Sequence, residues 1–198
     1  MVVVSGTGSI CYGIDAKGTI YRTGGWNHIL SDEGSAFYLG MQTMRLAAED
    51  LDERTKCPYL TRMFMEKSGL DTLEKIDLFV NEHLFDKSEI ACFSMIACEA
   101  AKQGDPQAEG ILKDCAEKIW KLIEDTARKA GWTRQSQESF ASGMEKPHLW
   151  LWGSVLVKNE IIRDEEVKRL RQVMPEIAVD VPETSALDLA LMLAGKIR

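Results

Sequence analysis

The stretch Val2-Val3-Val4-Ser5-Gly6-Thr7-Gly8-Ser9 joins an apolar run to a turn of small residues near the amino end of the chain. Successive valines are typical of a buried β-strand, because β-branched side chains pack well on a pleated surface. The turn alternates glycine with hydroxyl side chains, and glycine lets the backbone approach an anion closely. We therefore predict that a strand over Val2–Ser5 ends in a ligand-binding loop, to which Thr7 and Ser9 supply hydroxyl donors.

A second loop, Gly24–Ser35, has the sequence Gly-Gly-Trp-Asn-His-Ile-Leu-Ser-Asp-Glu-Gly-Ser. It brings an indole, an amide, an imidazole and two carboxylates close together. This mixture suits a polyhydroxylated substrate, which needs a ring face to stack on and a carboxylate to accept from its hydroxyls. Two other interpretations remain open, because Trp26 could be a core aromatic and Asp32 could cap the helix that follows.

The composition restricts the classes of partner. The 198 residues can bury a core as one domain or two small ones, and 45% hydrophobic with 28% charged residues is ordinary for a globular protein. A formal charge of −7 argues against sequence-independent binding to nucleic acid or to an anionic membrane surface. No apolar stretch is long enough to span a bilayer, and no secretory leader is recognisable. We expect a cytoplasmic protein with neither nucleic-acid nor membrane partners.

The cysteines and histidines show no metal-binding spacing. The three histidines are scattered, and no two cysteines form a C-x-x-C pair. We expect no metal site, and we expect all five cysteines to be buried, reduced thiols. They are Cys11, Cys57, Cys92, Cys98 and Cys115.

Apolar periodicity and turn residues predict a mixed order of strands and helices. Three short strands come first, over 2–5, 10–14 and 19–22, with a hairpin turn at Asp15–Gly18. Capping residues and helical spacing then predict several helices. These run from Ser35 to Leu51, over 60–67, 72–82 and 88–102, and from Pro106, with Asp105 as N-cap, to Gly131.

The remaining part of the chain adds strands and helices in alternation. A strand over His148–Trp152 leads into Gly153-Ser154, and the alternation of Trp150 and Trp152 predicts that both indoles face the core. Further predicted elements are an irregular segment over 135–143, a helix over 160–173, a strand over 177–181 and a terminal helix capped by Thr184 or Ser185. The order predicts one α/β domain over 1–198, a mixed sheet flanked by helices.

Together the two loops resemble the N-acetylglucosamine kinase family and its bacterial relatives, the BadF/BadG/BcrA/BcrD-type ATPases. Both belong to the actin, hexokinase and heat-shock-chaperone superfamily, in which two RNase-H-like lobes close around ATP and substrate. Ala100–Pro106 resembles the family's helix junction at the adenosine pocket. Leu151–Val155, followed by Lys158-Asn159, resembles its adenosine motif, although Ser154 replaces the usual second glycine. The resemblance runs from residue 2 to the carboxyl end.

The resemblance implies a set of site residues and a cofactor, ATP with Mg²⁺. Residues implied for the nucleotide are Gly6, Thr7 and Gly8 at its phosphates, and Ala101, Gly153, Ser154 and Asn159 at its adenine and ribose. Residues implied for the sugar are Ser9, Ile10, Gly25, Trp26, Asn27 and Asp32. The acceptor implied is an amino sugar, N-acetylglucosamine or glucosamine.

The family's first phosphate loop, Asp-x-Gly-x-Thr, does not occur in this sequence. The lobe that carries that loop also carries the catalytic base of these kinases. We therefore expect the 198 residues to form the C-terminal lobe alone, with no catalytic residue of its own and no useful kinase turnover. We also expect this lobe to form a homodimer or to pair with a separate N-terminal lobe.

Two other functions are compatible with the same resemblance. The chain could be an ATPase activator module of the BadF type, whose nucleotide-driven motion serves a partner enzyme. Such activators carry a cysteine-held iron–sulfur cluster, which the scattered cysteines of this chain do not favour. The chain could also be a non-catalytic remnant that keeps the fold without the chemistry.

Overall fold

A computed structural model describes residues 1–132 and 147–182 of the protein. They contain one five-stranded sheet in the order β3-β2-β1-β4-β5. Strands β1 to β3 are antiparallel neighbours, whereas β4 pairs parallel to both β1 and β5. Their bounds are β1 Val2–Ser5, β2 Ser9–Ile14, β3 Ile20–Gly24, β4 His148–Trp152 and β5 Ala178–Asp180. The predicted irregular segment 135–143 and the predicted terminal helix lie outside the described residues.

The helices pack around this sheet, so the predicted α/β class is confirmed. They are α1 Ala36–Leu51, α2 Pro58–Ser68, α3 Leu73–His83, α4 Lys87–Ala91, α5 Ser94–Lys102, α6 Pro106–Lys129, α7 Ser154–Lys158 and α8 Glu160–Val173. The single helix predicted over 88–102 is wrong, because the chain breaks into α4 and α5 at Cys92-Phe93. The short helix α7 was not predicted. Within the described ranges, no helix combines the length and the hydropathy needed to cross a membrane.

Local side-chain hydrogen bonds fix the predicted turn and helix starts. The Asp15 carboxylate accepts from the backbone N–H groups of Lys17 and Thr19, each at 2.8 Å, and closes the β2–β3 hairpin. Asp105 accepts from the backbone of Gln107 and Ala108 at 3.0 and 2.9 Å, which satisfies the free N–H groups at the start of α6. The predicted hairpin turn and the predicted N-cap are both confirmed.

The core lies between the sheet and the long helix α6, which contacts β1, β2 and β3. Val3 pairs with Cys11 on one side and Leu151 on the other, and all three side chains are fully buried. The prediction that Trp150 and Trp152 face the core is wrong. Trp150 is 41% exposed and stacks on His148. Side chains alternate along a strand, so the leucines of β4 take the core face and the tryptophans take the other.

One carboxylate is buried where α8 packs against α6. Glu166 is fully buried, and within the described part of the chain neither of its carboxylate oxygens has a hydrogen-bond partner. The nearby Arg169 guanidinium pairs instead with Glu117 and Glu165. Burial raises the pKa of Glu166 to about 8, because the charged form loses its hydration.

Candidate functional site

The loop between β1 and β2 is hydrogen-bonded directly to the loop between β3 and α1. Ser5 Oγ donates to the carbonyl of Gly34 at 2.6 Å, and Ser9 Oγ donates to the carbonyl of Glu33 at 2.7 Å. The first backbone N–H of α1, on Ala36, donates to the carbonyl of Gly6 at 2.7 Å. The two segments singled out in the sequence therefore form one structural unit.

An ion pair lies against the glycine turn of this unit. Asp32 is buried, accepts from the Ser9 backbone N–H at 3.2 Å and pairs with the Lys87 ammonium of α4. A Cβ on Gly8 would lie 2.8 Å from Lys87 Nζ and 2.9 Å from Asp32 Oδ2, so only glycine leaves room for the pair. Asp32 is not the helix cap that one interpretation suggested. Ser35 caps α1 by accepting from the Tyr38 backbone N–H at 3.1 Å.

A cleft of about 340 Å³ opens beside the turn, and the structure brings three of the predicted nucleotide residues to it: Thr7, Ser154 and Asn159. The cleft is electropositive although the whole chain carries a charge of −7. Lys102 and Lys158 contribute positive charge, and none of the described residues that line the cleft is acidic. Such a cleft suits a polyanion with an apolar body, because Leu39 and Met95 also line it.

Gly153 closes the turn between β4 and α7 against the start of the first loop. Its φ of +92° lies in the left-handed region that favours glycine. A Cβ at this position would overlap the carbonyl of Ser5 and lie 2.9 Å from the Ser5 nitrogen. This contact places Ser154, which is exposed and lines the cleft, next to the Gly6–Gly8 turn.

Two of the residues predicted to border the adenine and ribose also have structural roles. Asn159 caps α8 by accepting from the Ile162 backbone N–H at 3.1 Å, and its amide donates to Cys98 Sγ at 3.1 Å. Ala101 belongs to the hydrophobic core, whereas Cys98 and Lys102 of the same helix line the cleft. The binding roles of both residues stay predictions.

In the loop Gly24–Ser35, named the Trp26 loop, the indole of Trp26 is exposed to solvent. Trp26 is 68% exposed, which excludes the core interpretation, and the Arg22 guanidinium lies 4.0 Å from the centre of the ring. Asn27 orders the loop by accepting from the Ile29 backbone N–H at 2.9 Å. Gly25 lies so close to Ile10 that a Cβ would be 2.9 Å from Ile10 Cγ1. Gly25 and Ile10 are thus in close contact. The described residues that line the first cleft include none of Ile10, Gly25, Trp26 and Asn27.

A second cleft, of about 280 Å³, lies on the other side of this loop and is lined by Asp32, His28 and Arg45 among others. His28 Nε2 is 3.0 Å from the carbonyl of Leu84, and its ring meets Phe37 edge-on with centroids 4.8 Å apart. These contacts orient the loop. The two clefts adjoin at the glycine turn, since Thr7 lines one and Asp32 lines the other.

Sequence reasoning missed the cations of the site. Lys102 and Lys158 lie in the two motifs that the resemblance supplied, but neither was given a role there. No local pattern marks Lys87. The prediction of five buried thiols is also wrong for Cys92, which is exposed and lines the first cleft, and Cys98 there is half-buried. Cys11, Cys57 and Cys115 are buried as predicted.

The donor set fits the nucleotide better than it fits a metal ion. Hydroxyls and ammonium groups around the first cleft match the oxygens of a polyphosphate. Among the described residues, no group of three or more His, Cys, Asp or Glu side chains is placed to hold a metal ion.

Comparison with known proteins places these features in context. A family model described as the BadF/BadG/BcrA/BcrD ATPase family matches residues 1–179. The chain is 32% identical over 124 residues to an N-acetylmuramic acid/N-acetylglucosamine kinase of Clostridium acetobutylicum, covering 63% of this chain and 40% of that protein. It is 26% identical over 180 residues to an N-acetyl-D-glucosamine kinase of Dictyostelium discoideum, covering 90% of this chain and 54% of that protein.

A solved structure has the same fold. The protein, from Chromobacterium violaceum and provisionally called an N-acetylglucosamine kinase, superposes with a TM-score of 0.72 at 23% identity, covering 97% of this chain and 58% of that one. At this identity the likeness shows the fold alone, and it confirms the predicted RNase-H-like, actin-like ATPase fold. The chain thus spans roughly half the length of the relatives it matches.

Proposed function

We propose, since this chain belongs to the BadF/BadG/BcrA/BcrD ATPase family, that it is the C-terminal, nucleotide- and sugar-binding lobe of an ATP-dependent amino-sugar kinase. The observation that carries the proposal is an electropositive cleft next to the Gly6–Gly8 turn, adjoining a second cleft that holds Asp32. The names of the two sequence relatives, both N-acetylglucosamine kinases, support an amino sugar as the acceptor.

The first cleft would hold ATP, whose γ-phosphoryl group is the one transferred. Thr7 would donate its hydroxyl to the phosphates, as the exposed side chain of the turn. Ser154 and Asn159 would border the adenosine, with the Lys102 and Lys158 ammonium groups supplying a positive field. The close contact of Gly153 with Ser5 would hold Ser154 next to the Gly6–Gly8 turn.

The second half of the site would hold the sugar. The exposed indole of Trp26 offers a face on which a pyranose can stack, and Gly25, the residue before it, packs against Ile10. Asp32 lines the adjoining cleft and uses one lone pair on each oxygen for Ser9 and Lys87. The remaining lone pairs could accept from a sugar hydroxyl.

Phosphoryl transfer depends on positioning and on neutralising charge from both sides of the nucleotide. This chain would supply one side. The base and the aspartate that anchors Mg²⁺ would come from an N-terminal lobe, provided by a longer chain or by a separate partner. The cytoplasmic location and the homodimer stay predictions.

Alkylation of Cys92 tests the nucleotide half. Cys92 is exposed in the first cleft, so iodoacetamide should modify it in the free protein. At ATP ten times its Kd only about a tenth of the protein is unliganded, so the rate should fall about tenfold. Mass spectrometry of the peptide containing Cys92 measures the rate.

The buried thiols provide the internal control for this experiment. Burial raises the pKa of Cys11 to about 11, and Cys57 and Cys115 are also buried, so these three should stay unmodified until the protein unfolds. An unchanged rate at Cys92 with millimolar ATP would contradict the assignment of this cleft to the nucleotide.

Tryptophan fluorescence tests the sugar half. N-acetylglucosamine should change the emission of the protein, because the exposed indole of Trp26 would exchange water for a sugar face. The Trp26→Phe variant should lose most of this change. The matched control is Trp120→Phe, since Trp120 is buried in α6 and should leave the response intact. A response to ATP without any response to the sugar would favour the ATPase-activator alternative.

A further inference from the structure

Lys87 lies at the Gly6–Gly8 turn and pairs with the buried carboxylate of Asp32. It is the first residue of the short helix α4, and its ammonium group lies against the backbone of Gly8. Its side chain is 34% exposed, whereas that of its partner Asp32 is 3% exposed. Lys87 is therefore the more accessible member of the pair.

The neighbours of Lys87 place it between the two clefts. Ser88, the next residue, lines the cleft that also contains Thr7. Leu84, three residues earlier, lines the cleft that also contains Asp32. A group that passes from a nucleotide in the first cleft to an acceptor in the second would pass close to this ammonium.

The chemistry of the pair leaves capacity for a second anion. An ammonium group has three N–H donors, and Asp32 uses one of them. Without Lys87, the carboxylate of Asp32 beside Gly8 would repel a phosphate in the same turn. With Lys87 in place the pair is neutral, and the remaining donors can reach a phosphate oxygen.

We propose that Lys87 is a phosphate-binding residue of this lobe, whose ammonium group bridges Asp32 and the terminal phosphates of the bound nucleotide. The proposal rests on the proposed function, because it assumes that the first cleft takes a nucleotide. The competing explanation is that Lys87 serves only to neutralise the buried charge of Asp32.

The test compares the affinities of the full 198-residue chain for ATP and for adenosine, measured by calorimetry. The Lys87→Met variant keeps the aliphatic stem and removes the charge. Its ATP affinity should fall about 10- to 100-fold, the usual effect of losing a charge-assisted hydrogen bond. Its adenosine affinity should stay within about twofold, because adenosine has no phosphate to lose.

The double variant Asp32→Asn with Lys87→Met separates the two explanations and also guards against misfolding, since it leaves no unpaired buried charge. If Lys87 binds phosphate, the double variant should bind ATP as weakly as the single one. If Lys87 only neutralises Asp32, the double variant should bind ATP like the original protein, and the proposal is then wrong.

Two further measurements complete the design. Lys75→Met removes a lysine from an exposed pair with Asp71 and should leave both affinities unchanged. If the original chain binds neither adenosine nor ATP, both the proposed function and the role of Lys87 are wrong. Binding of adenosine with an ATP affinity unaffected by Lys87→Met would overturn the role of Lys87 alone.

Discussion

Replacing Gly153 with alanine should lower the free energy of unfolding by about 3 kcal/mol and abolish tight ATP binding. The added Cβ would overlap the carbonyl of Ser5, a backbone atom that cannot rotate away. Overpacking of this kind costs about 1–3 kcal/mol, and the backbone conformation of φ +92° and ψ 157°, which essentially only glycine adopts, adds about 1–3 kcal/mol for a residue with a Cβ. Because Ser5 leads into the Gly6–Gly8 turn, any relief of the clash displaces the turn. Urea unfolding and ATP titration measure the two effects.

Gly69→Ala is the matched control for this substitution. Gly69 ends α2 with a φ of +74°, but nothing lies within 4 Å of the position where its Cβ would be. The Gly69→Ala variant should therefore lose only the conformational cost, about 1 kcal/mol of the free energy of unfolding, and should still bind ATP. Equal losses in the two variants would show that the contact between Gly153 and Ser5 does not matter.

Replacing Glu166 with glutamine should stabilise the protein by up to about 4 kcal/mol more at pH 8 than at pH 4. The folded protein holds the Glu166 proton up to a pKa of about 8, whereas the ordinary pKa of a glutamate in an unfolded chain is 4.5. Below pH 4.5 the side chain is protonated in both states and no difference arises. Between pH 4.5 and 8 the unfolded chain releases the proton and the folded chain keeps it, so stability falls as the pH rises.

Glutamine has the shape of the protonated acid and cannot ionise, so this variant should lose that part of the pH dependence. A shift of this size corresponds to at most about 5 kcal/mol, and any cost of burying an amide with poorly satisfied hydrogen bonds is the same at every pH, so it lowers the whole profile without changing its slope. Thermal unfolding from pH 4 to pH 9 measures it. Glu160→Gln, on the exposed side of the same helix, should change stability little at any pH. Parallel pH profiles for Glu166→Gln and the original protein would refute the assignment.

Elements determined by nearby residues could be predicted from the sequence. The Asp15 turn and the Asp105 cap depend on hydrogen bonds that span only two to four residues. The pairing of the two loops was accessible only through the resemblance, because the hydrogen bonds from Ser5 and Ser9 that join them span 29 and 24 residues. The resemblance supplied Ser154 and Asn159, which the fold brings to the cleft with Thr7.

The remaining features depend on contacts between distant parts of the chain. Lys87 meets Asp32 across 55 residues, and no pattern near either residue indicates the other. The face taken by Trp150 depends on which side of β4 the helices cover. Where α1 crosses α4, Gly40 packs so closely that a Cβ would lie 2.9 Å from the Ile90 carbonyl carbon, a tertiary contact that helical periodicity does not reveal.

The hydroxyls of Ser5 and Ser9 hydrogen-bond the two ends of the Gly6–Gly8 turn to the Trp26 loop, so that the two loops form one structural unit. In a two-lobed kinase, the donor phosphoryl and the acceptor hydroxyl would then be aligned by a single rigid surface before the enzyme shuts. Closure would have only to deliver the base and expel solvent, without bringing the two reactants into register.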